Sequence, residues 1–397
     1  MSWMSPSYHL LQWPENPISR YKVYLYREQG WDTEHFVAGH PVIFIPGNAG
    51  SYQQVRSIAS SAARQYHGEP GGRAHGMEAQ KKLDLFTLDL NEDFSAFHAR
   101  TLKDQATFIQ HSIIRVLGEY DHLALNQRPT QVTLLAHSMG GISARLAVKR
   151  EDVSSKVDMV LTMSTPHTIP PLTFQLEMEA IYQQIAKSTG PLLISVCGGV
   201  SDSEIVSDSC ALSSTTITEE DGFSVFTSNI PGVWTGVDHQ AMVWCHQVRW
   251  LVARVLLSMT KQEERSRKLA VARRWLIGSD QKFNPSSGIA QRIAVTSSNM
   301  TILIQSQTER VTELSIQHCN EECHNLTSKT ELIPFPKDPN APFPLPGEGI
   351  KAGEVVIAAD VTLHQVDGFL AFNSKAQAVV DVGSHLDKVI LGSDWSE

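Results

Sequence analysis

Long apolar runs are missing from this sequence of 397 residues. No stretch reaches the roughly 18 consecutive apolar residues that a membrane-spanning helix needs, so no transmembrane segment is expected in the chain as written. The first six residues, Met1–Pro6, contain neither a basic segment nor an apolar core. They therefore do not have the pattern of a secretory signal peptide.

Basic residues are also scarce. Lys and Arg total 33 against 42 Asp and Glu, which gives a formal net charge of −9. Contacts with nucleic-acid phosphates need a basic surface, so no nucleic-acid partner is expected. The apolar share of 42% and the charged share of 19% are those of an ordinary globular protein. The length predicts two or three domains.

Cysteine is rare, and its count of five is odd, which leaves at least one thiol without a partner in this chain. Cys319 and Cys323 are four residues apart and each is next to a histidine, but no second pair of zinc ligands accompanies them. A local disulfide is the alternative in an oxidising compartment. Two glycosylation sequons, beginning at Asn299 and Asn325, also favour a secretory compartment.

Apolar runs typical of strands alternate with segments of helical spacing over the first 260 residues. The predicted strands are Pro41–Ile45, Leu83–Leu90, Val132–Leu135, Val157–Met163, Leu192–Val196 and Ser224–Phe226. This alternation indicates a parallel sheet with helices on both faces. The amphipathic segment Leu172–Ala186 is either a helix that covers the sheet or an insertion that caps a site.

The pattern changes after residue 260. A charged, Arg-rich segment follows, and from about residue 290 short β-type runs dominate, interrupted by a Pro-rich stretch at Pro334–Pro346. We therefore expect three parts: a catalytic α/β domain over 1–260, a charged helical connector over 261–289, and a smaller β-rich, sandwich-like module over 290–397. The chain ends soon after a strand, so we expect the last module to be incomplete.

The sharpest motif is Ala136-X-Ser138-X-Gly140, which follows the apolar strand at Val132–Leu135 and precedes a helical segment. Small-X-Ser-X-Gly in this context is the nucleophile elbow of α/β-hydrolases, where a tight turn holds the serine in a strained conformation. The residues on either side of the turn crowd together and must be small, although Ala136 stands where glycine is usual. The sequence thus predicts an α/β-hydrolase fold with a mostly parallel sheet, and Ser138 as nucleophile.

A serine nucleophile needs N–H donors for the oxyanion that forms during acyl transfer. The backbone N–H of Met139, directly after Ser138, is expected to be one donor. The Gly-rich loop after Pro41–Ile45 should provide the other, from Asn48 or Ala49, and Gly47 of this loop is placed in the pocket. The loop has no Gly-Lys-Ser/Thr ending, which disfavours a phosphate-binding role.

The nucleophile also needs a base and a carboxylate that orients it, in the chain order serine, acid, histidine. Asp202 lies in the loop after the strand Leu192–Val196 and is the preferred acid, with Asp208 of the same loop as the alternative. His239 precedes the last helix of the domain and is the predicted base. His137, next to the nucleophile, and His167, at the end of a predicted strand, are expected to line the pocket.

Together these segments resemble the GPI inositol-deacylases, which are lumenal α/β-hydrolases of the endoplasmic reticulum. The resemblance covers about residues 3–260 and rests on Ile45–Ser57, the elbow at Ser138, Thr165–His167, Gly198–Asp202, Asp238–His239 and Val243–Cys245. It implies a Ser138–His239–Asp202 triad that hydrolyses the fatty acyl ester on the inositol of GPI anchors. It implies no metal and no organic cofactor.

The resemblance also implies partners and a location. They are GPI-anchored proteins as substrates, a membrane lipid surface, and the lumenal face of the endoplasmic reticulum membrane. Family members carry membrane segments before and after the matching region, so we expect this chain to be a truncated form or fragment. Two alternatives stay open on the same fold: a general lipase or acyltransferase, and a catalytically inactive hydrolase-like binding module.

Overall fold

A computed structural model describes residues 5–277, with gaps at 34–35, 68–80, 172–174, 187–189, 213–214, 216 and 231, and then residue 326 and the strands between 291 and 389. The chain forms two compact units. One comprises Met1–Ser228 and Gly236–Arg273, and the other comprises Asn229–Thr235 and Arg274–Glu397. The predicted three-part division at residues 260 and 290 stays a prediction.

The first unit is built on an eight-stranded sheet. Its strands are β1 (Pro6–Leu10), β2 (Lys22–Glu28), β3 (His40–Ile45), β4 (Leu83–Asp89), β5 (Val132–His137), β6 (Val157–Met163), β7 (Leu192–Cys197) and β8 (Gly222–Phe226). They lie in the order β1-β2-β4-β3-β5-β6-β7-β8. The strands from β4 to β8 in this order run parallel, whereas β1 and β2 pair antiparallel. The six parallel strands therefore all end at one edge, which we call the carboxyl edge.

Helices connect these strands and cover the sheet. They are α1 (Arg56–His67), α2 (Ala99–Gly118), α3 (Met139–Ala147), α4 (Glu151–Ser154), α5 (Leu176–Ala186), α6 (Ser207–Cys210), α7 (His246–Met259) and α8 (Arg265–Leu276). Helix α1 packs against α7, and α2, α3 and α5 pack on one another. Two groups of helices are what a parallel sheet needs to bury both faces. The predicted α/β-hydrolase fold is confirmed, and α5 buries its apolar side against α2 and α3.

Two strands and one helix differ from the sequence-based expectation. Strands β1 and β2 were not predicted, and every residue of β1 is at least partly exposed, so it has no apolar alternation to reveal it. The last helix of the domain, expected to follow His239, begins only at His246. A short 3-10 turn at Ala241–Val243 precedes it, and Cys245 is extended between the two.

The second unit contains two antiparallel sheets. Their strands are β9 (Gln291–Ala294), β10 (Asn299–Ser306), β11 (Ser315–Cys319), β12 (Cys323–Asn325), β13 (Lys329–Pro334), β14 (Val355–Thr362), β15 (Phe369–Asn373), β16 (Gln377–Val382) and β17 (Asp387–Val389). One sheet has the order β13-β14-β10-β16-β17 and the other β12-β11-β15-β9. The predicted β-rich region is therefore confirmed, while most of the Pro-rich stretch lies outside the described residues.

The cysteines at 319 and 323 form a disulfide between the facing strands β11 and β12. Two thiols joined in this way cannot ligate zinc. Cys197 and Cys210 form a second disulfide, and Cys245 keeps a free thiol, as the odd count required. Across the described ranges, no helix is both long enough and apolar enough to cross a bilayer.

A buried ion pair ties β2 to β4. Arg27 Nη1 donates to Asp84 Oδ1 at 2.9 Å, and both side chains are only 1% exposed. The other carboxylate oxygen of Asp84 accepts from the Tyr120 hydroxyl and from the N–H groups of Ala38 and Gly39. These contacts of Asp84 hold the chain before β3 and the residues just after α2 against the sheet.

Replacing Asp84 tests this network. Asp84→Ala leaves the Arg27 guanidinium buried without its counter-charge, and we expect the free energy of unfolding to fall by about 3–5 kcal/mol. Urea unfolding followed by circular dichroism measures this. Asp152→Ala, which removes an exposed pair with Arg150, is the control and should change little. Equal stability of the two variants would contradict the structural role of Asp84.

Candidate active site

Ser138 occupies the sharp turn between β5 and α3. Its φ of 53° and ψ of −131° are rarely adopted by residues with a side chain, as the elbow motif predicted. Two hydrogen bonds hold the turn: the Ser138 N–H donates to Met163 O at 2.9 Å, and Thr165 Oγ1 donates to Ser138 O at 2.8 Å. A Cβ atom at Gly140 would lie 2.5 Å from the carbonyl oxygens of both Ile45 and Pro46, so only glycine fits there.

The loop after β3 also lies close to Ser138. A Cβ atom at Gly47 would lie 2.6 Å from Ser138 Cβ and 3.2 Å from Ser138 Oγ. The following residue, Asn48, is fixed because its Oδ1 accepts from the Ala96 N–H at 2.9 Å. Gly47 thus brings the predicted oxyanion loop into contact with Ser138.

The two candidate donors in this loop are not equivalent. The N–H of Ala49 already donates to Asp93 O at 3.1 Å. Within the described residues, no hydrogen bond occupies the N–H of Asn48 or that of Met139. The N–H of Ala49 is therefore engaged within the loop, and the oxyanion-hole assignment of Met139 with Asn48 or Ala49 stays a prediction.

His239 and Asp202 are paired, although 37 residues separate them in sequence. His239 Nδ1 lies 3.1 Å from both carboxylate oxygens of Asp202, and both side chains are 2% exposed. Asp202 Oδ1 also accepts from the N–H groups of Glu204 and Ile205. Burial opposes ionisation, but the hydrogen bonds from His239 and from the Ile205 N–H outweigh it and keep the pKa of Asp202 below its usual value.

The loops that carry this pair are packed on each other. Val237 N–H donates to Gly198 O at 2.9 Å, and a Cβ atom at Gly198 would lie 2.3 Å from Val237 O. The disulfide between Cys197 and Cys210 closes the loop that contains Asp202. Asp208 lies in α6 of the same loop, and His239 pairs with Asp202 rather than with this alternative acid.

His137 links this pair to the nucleophile turn. Its Nε2 lies 3.0 Å from the carbonyl oxygen of His239, and the two rings are 4.8 Å apart. Burial, followed by the neighbouring His239, lowers the pKa of His137 to about 4. The ring is therefore neutral at physiological pH, and its Nε2–H donates to the carbonyl. Ser138, Asp202 and His239 thus all lie on segments at the carboxyl edge, after β5, β7 and β8, and their assembly into a triad stays a prediction.

His167 has both ring nitrogens engaged in the interior. Arg145 can only donate, so His167 Nδ1, at 3.1 Å from Arg145 Nη1, is an acceptor, and Nε2–H donates to Thr162 Oγ1 at 2.8 Å. Burial and the Arg145 charge hold the pKa of His167 well below its ordinary range. These contacts position Arg145, and the expectation that His167 lines the pocket stays a prediction.

Two polar residues beside His239 were not predicted. Glu204 Oε2 lies 3.7 Å from His239 Nε2, and Glu204 Oε1 accepts from Gln240 Nε2 at 3.0 Å. Each follows a predicted site residue by one or two positions, but nothing in the sequence shows that the two side chains meet. Across the part of the chain that the structure describes, no cluster of His, Cys, Asp and Glu could hold a metal ion.

The amino-acid sequence of this chain matches a known protein family. Residues 36–259 match the family described as PGAP1-like alpha/beta domain. The whole chain is 48% identical to a GPI inositol-deacylase of Cryptococcus neoformans and covers 53% of it. It is 36% identical to a GPI inositol-deacylase of Chaetomium globosum over 76% of this chain and 29% of that protein. The chain therefore spans about half the length, or less, of these curated relatives.

A solved structure is similar in fold only. The Aspergillus fumigatus lipase B structure gives a TM-score of 0.39 at 15% identity, covering 64% of each chain. A likeness at this level carries no argument about activity. The fold assignment rests on the strand order of this chain and on its match to the family.

The shifted pKa of His137 predicts a pH dependence of stability. The folded pKa of about 4 lies below the ordinary 6.5, so the unfolded chain binds a proton that the folded chain does not. The stability that the neutral His137 ring contributes to the folded chain is fully present above pH 6.5 and is lost as the pH falls towards about 4. We expect His137→Gln, which retains a donor for His239 O, to lose stability less steeply over this window in urea unfolding. Parallel slopes would contradict the prediction, and exposed His122→Gln is the control.

Proposed function

We propose that this chain, which belongs to the GPI inositol-deacylase family, carries the catalytic unit of a serine esterase that removes the fatty acyl chain from the inositol of GPI anchors on proteins. The observation that carries the proposal is the pairing of Asp202 with His239 beside the strained turn of Ser138. A buried carboxylate, an imidazole and a serine on a nucleophile elbow are the parts that acyl transfer requires.

The first step forms an acyl-enzyme. Because Nδ1–H of His239 donates to Asp202, Nε2 is the acceptor, and it takes the proton from Ser138 as Oγ attacks the ester carbonyl carbon. The N–H groups of Met139 and Asn48 hold the oxyanion, while the Asp202 carboxylate stabilises the imidazolium. The carbon–oxygen bond to inositol then breaks, and the inositol oxygen leaves with the proton from Nε2.

The second step regenerates the enzyme. Water gives a proton to His239 Nε2 and attacks the acyl carbon, forming a second oxyanion on the same donors. Its collapse releases the fatty acid, and the proton returns to Ser138 Oγ. Every proton moves through one imidazole nitrogen, so the reaction needs no metal or organic cofactor.

Replacing the nucleophile tests the proposal. Ser138→Ala should lower kcat for release of fatty acid from acylated inositol by about 10³-fold or more, because attack and proton transfer both fail. Mass spectrometry of the released acid measures this, together with labelling by a fluorophosphonate probe. Ser155→Ala, an exposed serine after α4, is the matched control and should behave as wild type.

Three results would count against it. Equal turnover by wild type and Ser138→Ala would remove Ser138 from the mechanism. A wild-type chain that hydrolyses only simple glycerides would point to a general lipase, and one that never labels would point to a binding module. Thermal unfolding of both variants confirms that the fold is intact in each comparison.

We also propose that the chain acts on the lumenal side of the endoplasmic reticulum membrane, with GPI-anchored proteins as its substrates. Two disulfides, Cys197–Cys210 and Cys319–Cys323, fit an oxidising compartment. Asn325 of the sequon in β12 is exposed and thus accessible to glycosylation. GPI inositol-deacylase is the name that the curated relatives carry.

A membrane lipid surface is the second partner that we propose. Large apolar side chains are exposed on the loops that follow β4, β6, β7 and β8 at the carboxyl edge, around the candidate site. They are Phe94, Phe97, Ile169, Val200, Val206 and Trp244. An acyl chain lies in the bilayer until its ester is hydrolysed, so these side chains would insert into the lipid next to Ser138.

Vesicle binding tests this surface. Trp244→Gln should weaken binding to phosphatidylcholine vesicles by about tenfold, since burying a large apolar side chain contributes about 1.5–3 kcal/mol. Co-sedimentation with the vesicles measures it. Leu125→Gln is the control: Leu125 is 83% exposed but follows α2, away from the carboxyl edge. If both variants bind as wild type does, this rim does not contact lipid.

A further inference from the structure

Two carboxylates approach opposite nitrogens of the same imidazole ring. Asp202 pairs with Nδ1 of His239 and is buried, whereas the Glu204 carboxylate lies 3.7 Å from Nε2 and its side chain is 53% exposed. The backbone of Glu204 is fixed because its N–H donates to Asp202 Oδ1 at 3.1 Å. Glu204 therefore lies on the solvent side of the nitrogen that exchanges protons with substrate.

Gln240 completes this arrangement. Its amide Nε2 donates to Glu204 Oε1 at 3.0 Å, and it directly follows His239 in the chain. The proposed triad is complete without either residue, because Asp202 alone orients His239. What the two add is a carboxylate acceptor and an amide, which both donates and accepts, at the mouth of the site.

We propose that Glu204 and Gln240 bind the hydroxyl groups that neighbour the scissile ester on its polyol leaving group, and so select acylated inositol over simple esters. This inference rests on the proposed function of the same site. It assigns the recognition of the leaving alcohol to one loop pair, Asp202–Ile205 and Asp238–Gln240.

The chemistry of the leaving group supports this assignment. The leaving oxygen must come within hydrogen-bond distance of His239 Nε2 to receive its proton. On a cyclic polyol the next hydroxyl is one carbon away, which places it beside the Glu204 carboxylate. A carboxylate accepts from such a hydroxyl in a charge-assisted hydrogen bond.

The discrimination follows from what a simple ester lacks. A triglyceride or a p-nitrophenyl ester releases an alcohol with no neighbouring free hydroxyl, so Glu204 and Gln240 gain nothing from it. Sites built to hydrogen-bond a substrate hydroxyl reject analogues without one far more strongly than apolar pockets reject an extra methylene.

The test compares two substrates with the same acyl chain, a fatty acyl inositol and the p-nitrophenyl ester. Glu204→Gln keeps the side-chain shape and removes the charged acceptor. We expect kcat/KM for acyl-inositol to fall by about tenfold, mainly through KM, because a hydrogen bond to a charged group is lost. Hydrolysis of the p-nitrophenyl ester should stay within about twofold. Gln240→Leu should shift the selectivity in the same direction.

Glu220→Gln is the matched control. Glu220 is an exposed residue just before β8, at the opposite end of the sheet, and should leave both rates unchanged. Equal losses of Glu204→Gln on both substrates would overturn the inference, because the carboxylate would then act on His239 itself. Unchanged rates on both would also overturn it. A wild-type chain that cleaves the p-nitrophenyl ester but not acyl-inositol would instead overturn the proposed function, and this inference with it.

Discussion

Closely packed backbone surrounds the turn in which Ser138 has a positive φ. The carboxyl ends of β3 and β5 lie side by side, and the backbone of Pro46 and the carbonyl of Ile45 would clash with any side chain at position 140. Gly47 approaches Ser138 from the neighbouring strand in the same way. A residue in this conformation costs about 1–3 kcal/mol, which the surrounding packing must supply. The close approach of the loop after β3 to Ser138, which is only 6% exposed, results from that packing.

The positions of His239 and Asp202 depend on a contact between the loops after β7 and β8. Gly198 and Val237 are in close contact, and this contact holds the two loops together. The Cys197–Cys210 disulfide also limits the conformations of the loop that contains Asp202. Reduction of that disulfide would remove this covalent constraint and leave the loop held by hydrogen bonds and by the packing of Ile205.

The two ends of the sheet carry different kinds of polar group. Near the amino ends of the strands, charges are paired and buried, as in Arg27 with Asp84 and in Lys268 with Asp158. At the carboxyl edge, Glu204 keeps a half-exposed carboxylate beside the imidazole, and apolar side chains face solvent. The first arrangement contributes to stability, whereas the second leaves hydrogen-bonding capacity and apolar surface exposed to solvent.

The sequence alone determined the parallel sheet, the sharp turn at Ser138 and the loops that carry Asp202 and His239, because each follows from local rules: apolar runs make strands, and small residues make tight turns. Only the tertiary structure decided among residues of one loop. It paired His239 with Asp202 and not Asp208, and it engaged the N–H of Ala49 with Asp93. It also brought Glu204 to His239 and added strands β1 and β2 at one side of the sheet. These outcomes depend on distances between segments far apart in the chain, which local spacing does not encode.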